Sequence, residues 1–144
     1  MAAASSYIGA VVAVSASTPA TIDSSGFSAL SYTTVGKVVS WGAVGDTSDN
    51  ISIPLLAGRV EHLNGAIDGG EIAWTVRYDT DAGQTVLVNN SNNNTTLSIK
   101  ITDPDGKIAY FHGLAANVQD QERNNSSYKG LTGVFRVNSA TVRV

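Results

Sequence analysis

Two stretches of strict alternation constrain this chain most. In Glu71-Ile-Ala-Trp-Thr-Val-Arg-Tyr78 the residues Ile72, Trp74, Val76 and Tyr78 interleave with Ala73, Thr75 and Arg77, and further on Leu97, Ile99 and Ile101 interleave with Ser98, Lys100 and Thr102. A period of two puts each set on one side of a pleated strand, so both stretches are expected as half-buried β-strands. Between them Asp79 or Asp81 is placed to cap a short helix over 79–88, with Val86 and Leu87 facing the core, and the Asn-rich run 89–94 is expected to break it. Asp103-Pro-Asp-Gly106 reads as a turn, because Pro104 presets φ and Gly106 can take the left-handed position.

Weaker patterning extends the strand count over the whole chain. Strands are expected at 7–14, 30–43, 50–55, 59–63, 71–78, 96–102, 108–115, 131–137 and 141–144, giving one mainly β domain over 1–144 with a single helix and no repeat. Two stretches resist assignment. Residues 42–58 mix turn formers (Gly42, Gly45, Asp46, Asp49, Asn50) with the apolar Ile51, Ile53, Leu55 and Leu56, and 119–130 is polar with almost no aliphatics. Loops this long in a compact domain are functional or held by a partner. The expectation here is a partner, with order extending back to Met1.

Composition narrows the function classes. At 144 residues the chain can bury a core without staples, and with no cysteine it has neither disulfide nor thiolate metal site. Charged residues make up only 15%, low for a free monomer and suited to a surface that something else covers. The net charge of -3, without a basic stripe, argues against gripping nucleic acid. Secretion by a signal peptide is not expected, since Met1 to Ser6 carries no Lys or Arg, and the apolar run at 7–14 is far shorter than the roughly 20 residues of a membrane span.

Candidate chemistry has simpler explanations throughout. No Gly-x-Ser-x-Gly elbow is present, and His62 and His112 lie inside strand patterns without a recognisable triad, so no catalytic residue is expected. The acidic clusters at Asp79/Asp81 and Asp103/Asp105 miss the calcium-loop spacing and are accounted for as caps and turns; no metal or cofactor is expected. A sugar-cleaving carboxylate pair would sit in an aromatic cleft, and the chain has two tryptophans. Trp74 belongs to the alternating core face, whereas Trp41 is either core or an interface anchor. The Asn-x-Ser/Thr matches follow from Asn-rich loops and carry little weight.

Several short segments, in order, resemble the tail tube proteins of long-tailed bacteriophages. Tyr32-Thr-Thr-Val-Gly-Lys-Val-Val-Ser-Trp41 resembles the strand that enters that family's long loop, and Leu63-Asn-Gly-Ala-Ile-Asp-Gly-Gly-Glu71 its Gly-Leu-x-Asp-x-Gly-Glu junction, with Ala66-Ile67 in place of Gly-Leu. Gly83-Gln-Thr-Val-Leu87 is similar to its helix, Asp105-Gly-Lys-Ile-Ala-Tyr-Phe-His-Gly113 to its Gly-x-x-x-x-Phe-x-Gly strand, and Leu131-Thr-Gly-Val-Phe135 to its closing Thr-Gly strand. The match spans about 32–137 and leaves the N-terminal part unmatched. No single motif is specific; the order and spacing are.

The resemblance implies a β-sandwich or barrel subunit with one short flanking helix, closing into hexameric rings that stack into a hollow tube through which DNA leaves the capsid. It implies a structural virion protein rather than an enzyme, made in the host cytoplasm, with tape measure, terminator and distal tail proteins as partners, DNA only in transit, and no membrane. Within it, 42–58 is expected as an inter-ring loop and 1–31 as an N-terminal arm. Trp41, Ile51, Ile53, Leu55 and Leu56 are the expected contacts, and some of Asp46, Asp49, Glu61, Asp68, Asp120 and Glu122 are expected to face the lumen, where carboxylates keep DNA from sticking. The alternatives are a tube protein of a contractile injection or type VI secretion system, and a monomeric carbohydrate-binding β-sandwich.

Overall fold

The computed structural model describes residues 6–79 and 81–144. The chain runs β1 (Val11–Ser15), α1 (Ser24–Ser28), β2 (Thr33–Val35), β3 (Val38–Trp41), β4 (Thr47–Pro54), β5 (Val60–Asp68), β6 (Glu71–Arg77), α2 (Ala82–Asn93), β7 (Leu97–Thr102), β8 (Ile108–Asp120), β9 (Gly130–Val137) and β10 (Val142–Arg143). An eight-stranded antiparallel sheet has the order β2-β1-β7-β8-β9-β6-β3, with β10 also beside β8, and β4 and β5 form a separate two-stranded sheet.

Strand order alone dictates the shape. The two ends of the sheet, β2 and β3, are consecutive in the chain with only Gly36 and Lys37 between them. Laid flat, seven strands would hold those edges about 29 Å apart, yet the link from Val35 to Val38 reaches only about 10 Å. The sheet therefore curls until its edges meet, the mainly β sandwich or barrel expected. Lys37 takes the corner at φ 61, which splits the expected strand 30–43 in two.

Inside the curl lie Val14, Ile72, Trp74, Val76, Leu97, Ile99, Phe111 and Phe135, all at 1% exposure or less. The alternation of β6 and β7 thus points inward as expected, except that Tyr78 falls beyond β6 and is exposed. Ser98, on the opposite side of β7, is fully buried as well and donates its hydroxyl to the Ser17 carbonyl at 2.7 Å. Residues 16–32 cover that outer face. Their helix α1 was not expected, because five residues are too few for a helical period; Asp23 caps it, accepting from the Gly26 N–H at 2.7 Å. Phe27 is buried and stacks on Tyr110 at 5.4 Å, and the Tyr32 hydroxyl donates to the Phe27 carbonyl at 2.8 Å. Burial pushes the Tyr32 phenol up to about 12.

His112 sits under this cover, 6.4 Å from the Phe27 ring, and its Nδ1 is buried without a hydrogen-bond partner among the described residues. Burial lowers its pKa from the ordinary 6.5. The unfolded chain therefore takes up a proton as pH falls through 6.5 while the folded chain resists, so the contribution is fully present above that pH and is lost below it. Denaturation midpoints are expected to fall between about pH 7 and pH 5, and His112→Gln is expected to flatten that slope.

The second helix is the fastener of the barrel. Asp81 is its N-cap, accepting from the Gln84 N–H at 2.8 Å, and its other oxygen accepts from the Gly36 N–H at 2.6 Å. Gln84, 3% exposed, donates from Nε2 to the Gly36 and Arg77 carbonyls at 2.8 and 2.9 Å and accepts from the Asp79 N–H at 3.0 Å. One amide thus ties α2, the β2–β3 corner and the end of β6 together, and Gly83 passes so close to Thr34 that a Cβ would strike backbone. Replacing Gln84 with Leu is expected to cost about 2–4 kcal/mol, read as a lowered denaturation midpoint, because three backbone groups lose their partner. Leu87 is buried and Val86 packs at the core's margin, as expected.

Other boundaries moved for physical reasons. The Asn run does not break α2, which continues to Asn93 with Asn90 buried and ends at Asn94 in the left-handed conformation; tertiary packing outweighs a penalty of about 0.6 kcal/mol per Asn. The expected strand 7–14 begins only at Val11, after Gly9 at φ 95, and β8 runs past 115 to Asp120 through an irregularity at Asn117, φ 54. The turn 103–106 forms as expected, with Gly106 at φ 91 and its N–H donating to the Asp103 carbonyl at 3.0 Å. The expectation of order from Met1 concerns residues outside those described, as does Thr80 of the expected helix start.

Candidate assembly surface

The strands expected at 50–55 and 59–63 form, longer than expected, as β4 and β5, so that much of the expected inter-ring loop 42–58 is the first half of a β-hairpin. Residues β4 and β5 pair from Thr47↔Asp68 to Pro54↔Val60. The turn closes where the Leu55 N–H donates to the Arg59 carbonyl and the Gly58 N–H to the Leu55 carbonyl, both at 2.9 Å, with Gly58 at φ 93. An irregularity between Ser48 and Asn50 sets Asp49 against Gly65 and Ala66. Eight residues of strand carry the tip about 25 Å from the base.

The hairpin is amphipathic. Opposed residues share a face, so Ile51 with Leu63 and Ile53 with Glu61 form one side, and Asn50 with Asn64 and Ser52 with His62 form the other. The polar side is internally bonded: His62 Nδ1 lies 3.0 Å from Asn50 Oδ1, and Asn50 Nδ2 donates to Ser52 Oγ at 3.0 Å. Every residue of β4 and β5 is exposed except the half-buried Gly65. Ile51, Ile53, Leu55, Leu56, Val60, Leu63 and Ile67 are all open to solvent, Leu56 completely. A lone two-stranded hairpin is marginal in water, and this one exposes its apolar side as well. Covering those side chains would contribute roughly 5–10 kcal/mol per subunit.

The remaining expected site residues fall into two groups. Asp46, Asp49, Glu61 and Asp68 all belong to the hairpin or its base and are exposed; with Arg59 as its single Lys or Arg, the segment 46–68 has four carboxylates against one cation, -3, which equals the net charge of the whole chain. Asp120 and Glu122 lie elsewhere, at the end of β8 and in the loop beyond, where Asp120 pairs with Arg123 at 3.0 Å. Trp41 is half-buried, stacked on Trp74 at 6.4 Å and packed against the core. Leu63, Val60 and Ile67 were not singled out beforehand. For Leu63 the alternation Asn50-Ile51-Ser52-Ile53 held the signal, since a strand with one apolar side needs a matching partner, whereas Val60 and Ile67 lie on the other side, opposite Pro54 and Ser48. Among the described residues no three metal-ligating side chains come together.

No family model matches the sequence, and no curated protein does. The fold, however, is similar to solved ones. A chain of the sheath–tube complex of an extracellular contractile injection system (PVC) in the extended state aligns with a TM-score of 0.60 at 10% identity, over 94% of this chain and 87% of that one. A chain of the same system's sheath/tube terminator aligns at 0.63 and 10% identity, over 94% and 92%. A chain of the six-fold symmetrised baseplate of the anti-feeding prophage aligns at 0.64 and 10% identity, over 100% and 96%. At that identity the likeness is one of fold.

Proposed function

We propose that this chain is a structural subunit that assembles into stacked rings of six, forming the hollow tube of a phage tail or of a related injection particle, and that it is not an enzyme. The observation that carries the reading is the projecting hairpin, whose apolar side is left exposed among the described residues. A neighbouring copy is the partner present at the highest local concentration, and edge strands become joints when rings close. The fold likeness to chains of a sheath–tube complex and a six-fold baseplate supports the same reading and favours a contractile injection particle as the second setting beside the phage tail.

In this reading the tube stands among terminator, baseplate-type and tape-measure proteins, and its cargo passes without being bound. The net negative charge of the hairpin segment supports a wall of net negative sign, drawn from those candidate carboxylates that the joints leave uncovered. Electron microscopy and sedimentation of the purified chain test the proposal. Six-fold rings or tubes are expected; a monomer at high concentration with the fold intact would overturn it.

A further inference from the structure

The hairpin ends in a knob and starts beside a slot. At the tip the side chain of Leu56 stands fully in solvent, and Arg59 follows it with no side-chain partner among the described residues. At the base a cleft of about 400 Å³ opens between the hairpin and the end of β9, with Ile67, Gly69, Val137 and Ala140 among its walls and Asp46 and Asp68 on it. Asp46 has no partner among the described residues, and Asp68 uses Oδ1 to accept from the Gly70 N–H at 2.8 Å, leaving its second oxygen open.

Knob and slot match in two independent ways. An isobutyl group beside a guanidinium faces an open cleft where Ile67, Val137 and Ala140 stand beside Asn138, Ser139 and two carboxylates, so an apolar contact and the charges agree. Within one subunit they cannot meet, because the hairpin holds them about 25 Å apart. We propose that the hairpin tip of one copy docks in the base cleft of the next, Leu56 filling the cleft and Arg59 pairing with Asp46 and Asp68. The inference rests on the assembly reading and deepens it by naming the counter-surface. Such a contact is heterologous: each copy offers one tip and one cleft, so it propagates from copy to copy. It also takes Asp46 and Asp68 out of the wall and into the joint.

The test uses the full chain and charge reversal. Arg59→Glu alone, and Asp46→Lys with Asp68→Lys, are each expected to raise the concentration needed for assembly at least about tenfold, while the three changes together restore it toward the unaltered protein. Mixing Leu56→Asp, which lacks a working tip, with the Asp46→Lys, Asp68→Lys protein, which lacks a working cleft, should give short paired complexes although neither assembles alone. Circular dichroism confirms that each variant is folded. If the unaltered chain forms tubes and the reversals assemble equally well, the tip-to-base joint is overturned and the tube reading stands. If the unaltered chain never associates, both fall.

Discussion

Ile51→Asp combined with Ile53→Asp is expected to leave a folded subunit, or at most single rings, that no longer builds long tubes. Both side chains are about half exposed in the isolated subunit and lie outside the core cluster, so each change should alter subunit stability by only about 0.5 kcal/mol. In the proposed assembly the same positions are covered. Burying an unpaired carboxylate costs several kcal/mol, and two of them at one joint amount to roughly 6 kcal/mol, about four orders of magnitude in the association constant. Sedimentation velocity and negative-stain microscopy read the loss, and thermal unfolding of the dilute protein checks the fold. His62→Gln, on the opposite side of β5, is the control and is expected to keep assembly. Tubes of unchanged length in the double variant would remove the apolar side of the hairpin from the joint.

What the sequence made legible follows the physics of each signal. Period-two alternation in β6 and β7 was readable because one side of each strand meets a dense core, and Trp74 and Ile99 pointed to it correctly. Ser98 misled for a matching reason: its side of β7 is covered by α1 and the preceding segment, and no local pattern in β7 announces a cover arriving from residues 16–32. The short motifs in 32–137 turned out to have structural causes. Gly70 holds φ 72 with its N–H on Asp68, Gly133 leaves room for the Trp74 ring 2.6 Å from where a Cβ would stand, and Gln84 fastens the barrel corner.

The candidate assembly surface was half legible as structure. Ile51, Ile53, Leu55 and Leu56 drew attention as apolar residues among turn formers, and the strand expected at 50–55 carries the first two, but the turn formers disguised its start at Thr47. Gly42 and Gly45 do precede β4, with Gly45 at φ 147, whereas Asp49 and Asn50 sit inside it at an irregularity. Such residues disfavour strands only weakly, and cross-strand pairing with β5 decides the matter. Pairing is non-local, so the partner half, Val60 to Ile67, went unrecognised as part of the same surface.

Gly113→Ala is expected to be the most damaging single-methyl change in the chain. Gly113 is the residue of β8 that pairs with Leu97 of β7 on one side and Val137 of β9 on the other. A Cβ there would collide with the Arg136 carbonyl oxygen and come within 3.0 Å of the Phe135 ring. The first obstacle is backbone, held by the β8–β9 ladder, so no flexible side chain can swing away. Relief requires parting two central strands, and the expected loss is about 3 kcal/mol or more, a large fraction of what a domain of this size has. Gly58→Ala provides the contrast: its Cβ meets nothing within 4 Å, and only its φ of 93 opposes the change, at a cost of about 1–2 kcal/mol. Urea denaturation of the two variants under dissociating conditions should therefore place Gly113→Ala well below Gly58→Ala. Equal midpoints would mean that β8 and β9 do not pair in the register that brings Gly113 against Val137, and with it the closure of the barrel on that side would have to be redrawn.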